Sequence, residues 1–329
     1  LAQNYPRESY DVVVIADSFQ ASTIALLKEL PITLVEVDFE NSTKSKALNA
    51  AMKEIGDGYD IALILDADNL MAPDFIEKMN QAFDQGYLAV QGHRMAKNTN
   101  TNLAVLDAVS EEINNSLFRK GHRVLGLSSA LIGSGMAFEY DFFKKVMSAV
   151  KAIGGFDKEL ELRLLRSRNK IEYVEDAIVL DEKVQKAEVF ANQRKRWLSA
   201  QFVYFRRYAL PGLYDLIRHG NVDFADKVYQ MIQPPRILLL GLVTILTGLM
   251  ALVNLFFPYW MWMHLVLDFS SWMVIWSMVF LAFLFAIPRK FYNAKTAKAL
   301  IGLPKGFLMM LLSLFKLKGA NKKFIHTAH

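Results

Sequence analysis

Ile61-Ala62-Leu63-Ile64-Leu65-Asp66-Ala67-Asp68 is a solid apolar run that stops abruptly in two aspartates one residue apart. The run reads as a strand, and the acidic pair then sits where the chain leaves that strand's carboxyl end. In open α/β sheets ligands bind beyond the carboxyl ends of the strands. This stretch therefore sets both a fold class and the place to look for chemistry. Asp66 and Asp68, two apart, can direct their carboxylates to the same side. Two hard oxygen donors there suit a Mg²⁺ or Mn²⁺ that also bridges a diphosphate. The same residues read equally as solvated loop or helix-capping aspartates, since such pairs arise often by chance.

Outward from this stretch, strand-like and helix-like patterns alternate from Tyr10 to about residue 190. Asp11 to Ala16 (DVVVIA) is a β-branched run typical of a strand buried on both faces, and it ends at Asp17. Helical patterns cover Thr23 to Leu30 and Lys44 to Ile55, with a short strand at Ile32 to Val37 between them. After Asp60 to Leu65, Pro73-Asp74 opens a helix with proline near its first turn. Tyr87 to Gln91 reads as a short strand, Leu103 to Phe118 as a helix and Ile171 to Val174 as a strand. The alternation predicts an α/β domain with a parallel or mixed sheet flanked by helices. Leu1 to Arg7 reads as a turn already inside a domain, unlike the basic and apolar start of a signal peptide.

Composition frames these elements. Of 329 residues, 53% are hydrophobic, high for a purely soluble enzyme, and the net charge of +5 suits contact with anionic headgroups or a polyanionic ligand. Nucleic acid is not expected among the partners. The chain has no cysteine, which excludes disulfides, zinc-thiolate sites and thiol nucleophiles.

Gln193-Arg194-Lys195-Arg196-Trp197 opens a helical stretch in which Trp197, Phe202, Phe205, Tyr208 and Ala209 share an apolar side, while Arg194, Lys195, Arg206 and Arg207 supply charge. That is the pattern of a basic amphipathic helix in a membrane interface. An arginine there can also clamp a diphosphate, and a tryptophan face can stack on a sugar ring. Beyond Pro234-Pro235, residues 237–257 and 265–287 are each about the ~20 residues that cross a hydrocarbon core. The connecting segment carries Tyr259, Trp260 and Trp262 but no Lys or Arg, whereas Lys227, Arg236, Arg289, Lys290, Lys295 and Lys298 flank the other ends. The positive-inside rule puts the domain and residues from 290 onward in the cytoplasm. Residues 300–317, interrupted by Pro304-Lys305 and flanked by lysines on both sides, read as a re-entrant or interfacial helix followed by a cytosolic tail with His326 and His329.

Taken in order, Asp66-Ala67-Asp68, Gly133-Ser134-Gly135-Met136-Ala137-Phe138, Gln193 to Trp197 and the two apolar segments resemble the membrane-bound family 2 glycosyltransferases, the group of cellulose, chitin, hyaluronan and poly-N-acetylglucosamine synthases. The Q-x-x-R-W string is the specific part. The resemblance implies a GT-A-like nucleotide-sugar-binding fold, with a cytosolic catalytic domain over residues 1–192, an interfacial region over 193–233 and a membrane region over 234–329 in a multi-pass cell-membrane protein. It also implies a further amino-terminal strand ahead of Asn4-Tyr5-Pro6, so that the base pocket of this chain is expected to be incomplete.

By position, Asp17 resembles the carboxylate that contacts the nucleoside, and Lys44, in Lys44-Ser45-Lys46-Ala47-Leu48-Asn49, resembles the lysine of K-G-x-A-L-N, with Ser45 in place of glycine. Asp66 is similar to the nucleotide-contacting member of D-x-D, and Asp68 to the metal ligand for Mg²⁺ or Mn²⁺. Gly135 and Met136 lie in what looks like the loop below the acceptor sugar. Arg196 is implied at the diphosphate, and Gln193 and Trp197 at the acceptor. The base, normally the Asp of a T-E-D-like motif, aligns with Glu159. A glutamate reaches one methylene farther, so Asp157 is the alternative base; Glu175-Asp176 falls too late in the order.

The implied activity is inverting transfer of a sugar from a nucleoside diphosphate donor, expected to be uridine-linked, to a growing polysaccharide or glycolipid acceptor with a β-linkage. Two spans leave little material for a secretion channel, so a homo-oligomer, a further span or a secretion partner would supply the rest. A membrane-associated nucleotide-binding regulatory subunit or pseudoenzyme is the alternative, motivated by Lys158-Glu159 in place of E-D. A transporter component fits poorly with spans whose charge is limited to Asp268.

Overall fold

A computed structural model of the chain describes residues 2–150, 152, 154–185, 187–256 and 268–314. The amino-terminal part is an α/β domain with a mixed sheet, as the alternating patterns predict. Strands β1 (Val13–Asp17) and β2 (Thr33–Val37), joined through α1 (Ala21–Lys28), form a parallel pair. After α2 (Lys44–Ile55) come β3 (Ile61–Ile64), β4 (Leu70–Met71), α3 (Phe75–Asp84), β5 (Ala89–Ala96) and α4 (Asn102–Asn114). A π-helical stretch, Asn115–Gly121, continues α4 into the short α5 (His122–Val124). Then follow β6 (Met136–Glu139), α6 (Tyr140–Ser148), α7 (Phe156–Arg166) and β7 (Ile171–Asp181). The second sheet has the order β3-β6-β5-β7-β4, in which β5 and β7 are parallel and the other pairs antiparallel.

Alternation along the central strands gives this sheet two cores. Ala89, Met136, Phe138 and Ile171 face α2, α6 and α7, while Val90, Ala137, Ala177 and Val179 face α3 through Phe75 and Met79. The strand at DVVVIA forms, but it is not buried on both faces. Only Ala16 of β1 is buried, and no strand hydrogen-bonds β1 to β3 among the described residues. The two strands are linked at their starts, where the Tyr59 hydroxyl donates to Asp11 Oδ2 at 2.9 Å.

Two strands run longer than their sequence suggests. Gly92-His93-Arg94 looks like the polar end of a strand, yet β5 continues to Ala96 because Arg94 finds buried partners, Glu111 at 3.0 Å and Asp181 at 3.6 Å. Likewise β7 passes straight through Glu175-Asp176, which lie exposed at a register shift opposite Gly92 and His93.

From residue 187 the chain is helical. Helix α8 (Ala187–His219) is 33 residues long with Pro211 inside it, and α9 (Val222–Gln230) folds back against it. Ala200, Tyr204 and Tyr208 of α8 join the core on the α7 side and Leu198 is also buried, whereas Phe202, Val203, Leu210, Leu213, Tyr214 and Ile217 are exposed. The single apolar side read from the sequence is thus divided between the domain and the outside. Helices α10 (Arg236–Phe256) and α11 (Phe269–Ala286) are long and apolar enough to cross a membrane. They pack together, with Trp276 Nε1 donating to Thr244 Oγ1 at 3.0 Å. A bend of 44° separates α12 (Ala294–Leu300) from α13 (Leu303–Leu314). Over its 12 residues α13 rises about 18 Å, and Phe307 lies over Gly241 so closely that a Cβ there would sit 2.3 Å from its ring. The aromatic segment around 258–264 and the tail with His326 and His329 lie outside the described residues.

Both outer ends of the α10–α11 pair are fastened to α4. At the start of α10 the Arg236 guanidinium donates to Asn114 Oδ1 at 2.6 Å and to the Ser110 carbonyl and hydroxyl at 3.1 and 2.9 Å. Past α11, Lys290 pairs with Glu112 at 2.8 Å. Val109 and Ile113 of α4 meet Ala286, Phe283 and Ile287 in a separate apolar cluster.

Candidate functional site

The carboxyl ends of β1 and β3, the amino end of α2 and the loop before β6 meet on one side of the domain. That loop, Gly133-Ser134-Gly135, takes left-handed backbone at both glycines, φ +83° and +62°. Gly135 has no room for a side chain, since a Cβ would sit 2.5 Å from Val179 Cγ1. The loop is held from below by Gln91, fully buried in β5, whose amide donates to the carbonyls of Ser134 and Gly135 at 3.0 Å and accepts from the Ile132 N–H at 3.0 Å. In the sequence Gln91 ends the short apolar run from Tyr87, and its role comes from its burial in β5, because a buried amide must find partners.

Asp66 to Asn69 form a turn closed by the Asn69 N–H donating to the Asp66 carbonyl at 3.1 Å. Lys44, in the first turn of α2, is ion-paired to Asp66 Oδ1 and donates to the Gly133 carbonyl at 2.7 Å. Thr43 caps that helix by accepting the Lys46 N–H. Asp17 reaches the same end through Ser42, whose hydroxyl donates to Asp17 Oδ2. Opposite, Phe156-Asp157 begins α7 against the glycine loop: a Cβ on Gly133 would meet Asp157 Cβ and Cγ at 3.8 Å. Lys44 Nζ lies 5.4 Å from the Phe156 ring centre. Asp17, Lys44, Asp66, Gly133 and Asp157 therefore form one constellation, although they come from five separate parts of the chain.

Asn69 was not among the residues singled out from the sequence, yet it joins three segments. Its Nδ2 donates to Asp68 Oδ1 at 3.0 Å and to Asp181 Oδ1 at 3.2 Å, and its Oδ1 accepts from Ser134. The Ser134 hydroxyl in turn accepts the Asp66 N–H at 2.9 Å. Burial pushes the Asp181 carboxyl up, but Arg94 and then Lys183 outweigh it and hold it below its ordinary value, so it stays ionised. Among the described residues no three carboxylate or imidazole groups converge. Asp66 and Asp68 supply one or two oxygen donors, which fits a Mg²⁺ or Mn²⁺ whose shell is completed by phosphates and water.

Two expected site residues have buried side chains. The Glu159 side chain is 1% exposed, on the face of α7 turned toward α8, with Oε1 bonded to Arg163 at 2.8 Å and Arg207 at 3.4 Å. Its partners Arg163 and Arg207 are themselves partly exposed, and its Oε2 is buried without a hydrogen-bond partner among the described residues. Met136 is also fully buried, because it is the first residue of β6 and faces the core beside Phe138. Gln193, Arg196 and Trp197 sit on α8 about one to three turns ahead of Ala200 and Tyr204, which pack on Gly155. Tyr204 also donates to the Gly154 carbonyl at 3.1 Å, so this helix borders the loop that leads into Asp157. Gln193 and Arg196 are half-buried, and burial pulls the Arg196 guanidinium below its ordinary pKa. Trp197 is 38% exposed, with the Arg194 guanidinium 4.7 Å over its ring. Arg194 is itself bound to Asp107 of α4.

A family model described as glycosyltransferase like family 2 matches residues 1–200. No curated protein matches the chain. Among solved structures, a mannosyltransferase from Pyrobaculum calidifontis in complex with GDP-Man and Mn²⁺ is similar at 15% identity and a TM-score of 0.46, over 85% of this chain and 79% of that one. S. aureus TarS (1–349) in complex with UDP-GlcNAc is similar at 12% identity and a TM-score of 0.43, over 93% of this chain and 85% of that one.

Proposed function

The chain belongs to the glycosyltransferase like family 2, and from that premise we propose that it is an inverting enzyme which moves a sugar from a nucleoside diphosphate donor to a glycan or lipid acceptor at a membrane surface. It is a glycosyltransferase with a GT-A-like fold. The observation that carries the finer reading is the convergence of Lys44, Asp66, Gly133 and Asp157 at the carboxyl ends of the strands. Lys44 supplies positive charge where a diphosphate would lie, and Asp17 is available to the nucleoside. A divalent cation held there by Asp68, with Asp66, would neutralise charge growing on the leaving diphosphate.

The base in this proposal is Asp157. The acceptor hydroxyl attacks the anomeric carbon, its proton passes to the Asp157 carboxylate, and the bond from that carbon to the diphosphate oxygen breaks. One displacement inverts the centre, so an α-linked donor gives a β-linked product. Asp157 is favoured over Glu159 because it borders the loop that Lys44 holds, whereas Glu159 is buried under Arg163 and Arg207. Arg196 would meet the diphosphate, and Gln193, Trp197 and the loop at Gly135 would line the acceptor path.

A membrane setting is supported by α10 and α11 and by their attachment. Arg236, ahead of the first span, and Lys290, after the second, both bind α4. Two antiparallel spans whose outer ends meet one helix return to the domain's own side, and the lysines and arginines there favour the cytoplasm.

The test is incubation of the full chain in membranes with labelled UDP- and GDP-linked sugars and Mg²⁺ or Mn²⁺, followed by sizing of the product. Labelled product that disappears in Asp68→Ala and Asp157→Asn supports the proposal, and its length distinguishes polymer from single addition. Nucleotide binding without turnover on any donor would instead favour a regulatory subunit.

A further inference from the structure

Asn69 immediately follows the aspartate pair, and its backbone N–H and both ends of its side-chain amide are committed. Its backbone N–H closes the turn onto Asp66, its side-chain nitrogen donates to Asp68 and Asp181, and its side-chain oxygen accepts from Ser134. The orientation of the amide is fixed by chemistry. Rotated by half a turn, its oxygen would face two carboxylates, and its nitrogen would face a hydroxyl whose acceptor side already takes the Asp66 N–H.

The anchor behind it is a buried network of ion pairs. Asp181 accepts from Lys183 at 2.8 Å and lies 3.6 Å from Arg94. Arg94 and Arg119 both bind Glu111, at 3.0 and 3.1 Å, in a fully buried cluster of alternating charge. Asn69 is thus held from the domain interior, and it holds Asp68 in turn.

The geometry points to Asn69 as a positioning residue that sets the direction of the Asp68 carboxylate toward a divalent cation, with Asp181 and Ser134 fixing Asn69. This rests on the proposal that Asp68 holds the cation. A ligating carboxylate that loses the hydrogen bond orienting it typically loses about 10–100-fold in metal affinity. Removing the amide leaves the cation's own ligand in place, so the defect lies in affinity rather than in the chemical step.

The experiment uses the full chain in detergent, with Mn²⁺ binding read by loss of the free-ion electron paramagnetic resonance signal in the presence of UDP. Turnover is measured against Mn²⁺ concentration in parallel. In Asn69→Ala the dissociation constant for Mn²⁺ and the Mn²⁺ concentration for half-maximal turnover both rise about 10–100-fold, and the lost rate returns at saturating Mn²⁺. Ser134→Ala, which frees the amide but keeps it, gives a smaller rise in the same direction and serves if Asn69→Ala does not fold. Mn²⁺ affinity within about two-fold of the parent in the folded variant overturns the assignment, as does a rate that stays low at saturating Mn²⁺. Failure of the underlying reading is separate: the parent would bind no Mn²⁺ with UDP, or Asp68→Ala would bind it equally well.

Discussion

Asp157 and Glu159 stand two residues apart on α7, and the fold gives them opposite surroundings. Asp157 borders the Gly133 loop, while Glu159 is enclosed with Arg163 and Arg207. Asp157→Asn is expected to lower kcat by about 10²–10⁴-fold with an unchanged melting temperature. Glu159→Gln weakens a buried charge-assisted pair, costing about 1–3 kcal/mol, and leaves turnover per folded molecule within a few-fold. Thermal unfolding and turnover measured on the same samples separate the two. Gly135 offers a second test at this scale, because its φ of +62° and the 2.5 Å approach to Val179 exclude a side chain. Gly135→Ala should lower stability by about 1–3 kcal/mol and disturb the loop above Gln91, read as a lower melting temperature. Lys44, Asp66 and Asp68 could be singled out in the sequence because each belongs to a short local pattern, and the structure brings Lys44 and Asp66 together. Asn69, Gln91 and Asp181 could not be, since an amide or a carboxylate acquires its role only from partners as far away as residues 134 and 181.

At the scale of elements, α4 joins the second sheet to the two long apolar helices, α10 and α11. Its Glu111 enters the buried cluster with Arg94, Arg119 and Lys183, and its Glu112 binds both His93 and Lys290. Burial raises the Glu112 carboxyl, but the hydrogen bonds from His93 and Lys290 outweigh it and bring its pKa from 4.5 down to about 2. A depressed carboxylate contributes its stability above its unfolded pKa and loses it as pH falls through the folded one. The contact between α4 and the segment after α11 should therefore hold at neutral pH and weaken progressively between about 4.5 and 2. Glu112→Gln should remove that acid dependence, measured as proteolytic release of residues beyond α11. Arg236→Ala should loosen the other fastening at any pH, leaving Asn114 and the Ser110 hydroxyl without their donor at a cost of about 1–3 kcal/mol. The sequence places Arg236 and Lys290 correctly as flanking charges. It does not reveal that both bind one helix, because that depends on how the spans meet the domain.

For the whole molecule, the testable consequence is sidedness. The absence of cysteine makes single introduced thiols clean probes. Trp262→Cys, between the spans, and Asp84→Cys, at the end of α3, are expected to react with an impermeant maleimide from opposite sides of sealed vesicles, and labelling from one side would refute a two-span hairpin. Hydrophobic periodicity and apolar length, which are local properties, were enough for the sequence by itself to determine an α/β domain ahead of two helices long and apolar enough to cross a membrane, and the acidic turn at a strand end gave the place to look for chemistry. Only the tertiary structure decided which carboxylate borders the loop above Gln91, that β1 and β3 belong to separate hydrogen-bonded sheets, and that Asn69 links Asp68 to the Arg94 cluster. Those outcomes turn on burial and on contacts between distant residues, and a side chain's environment is not encoded in its neighbours along the chain.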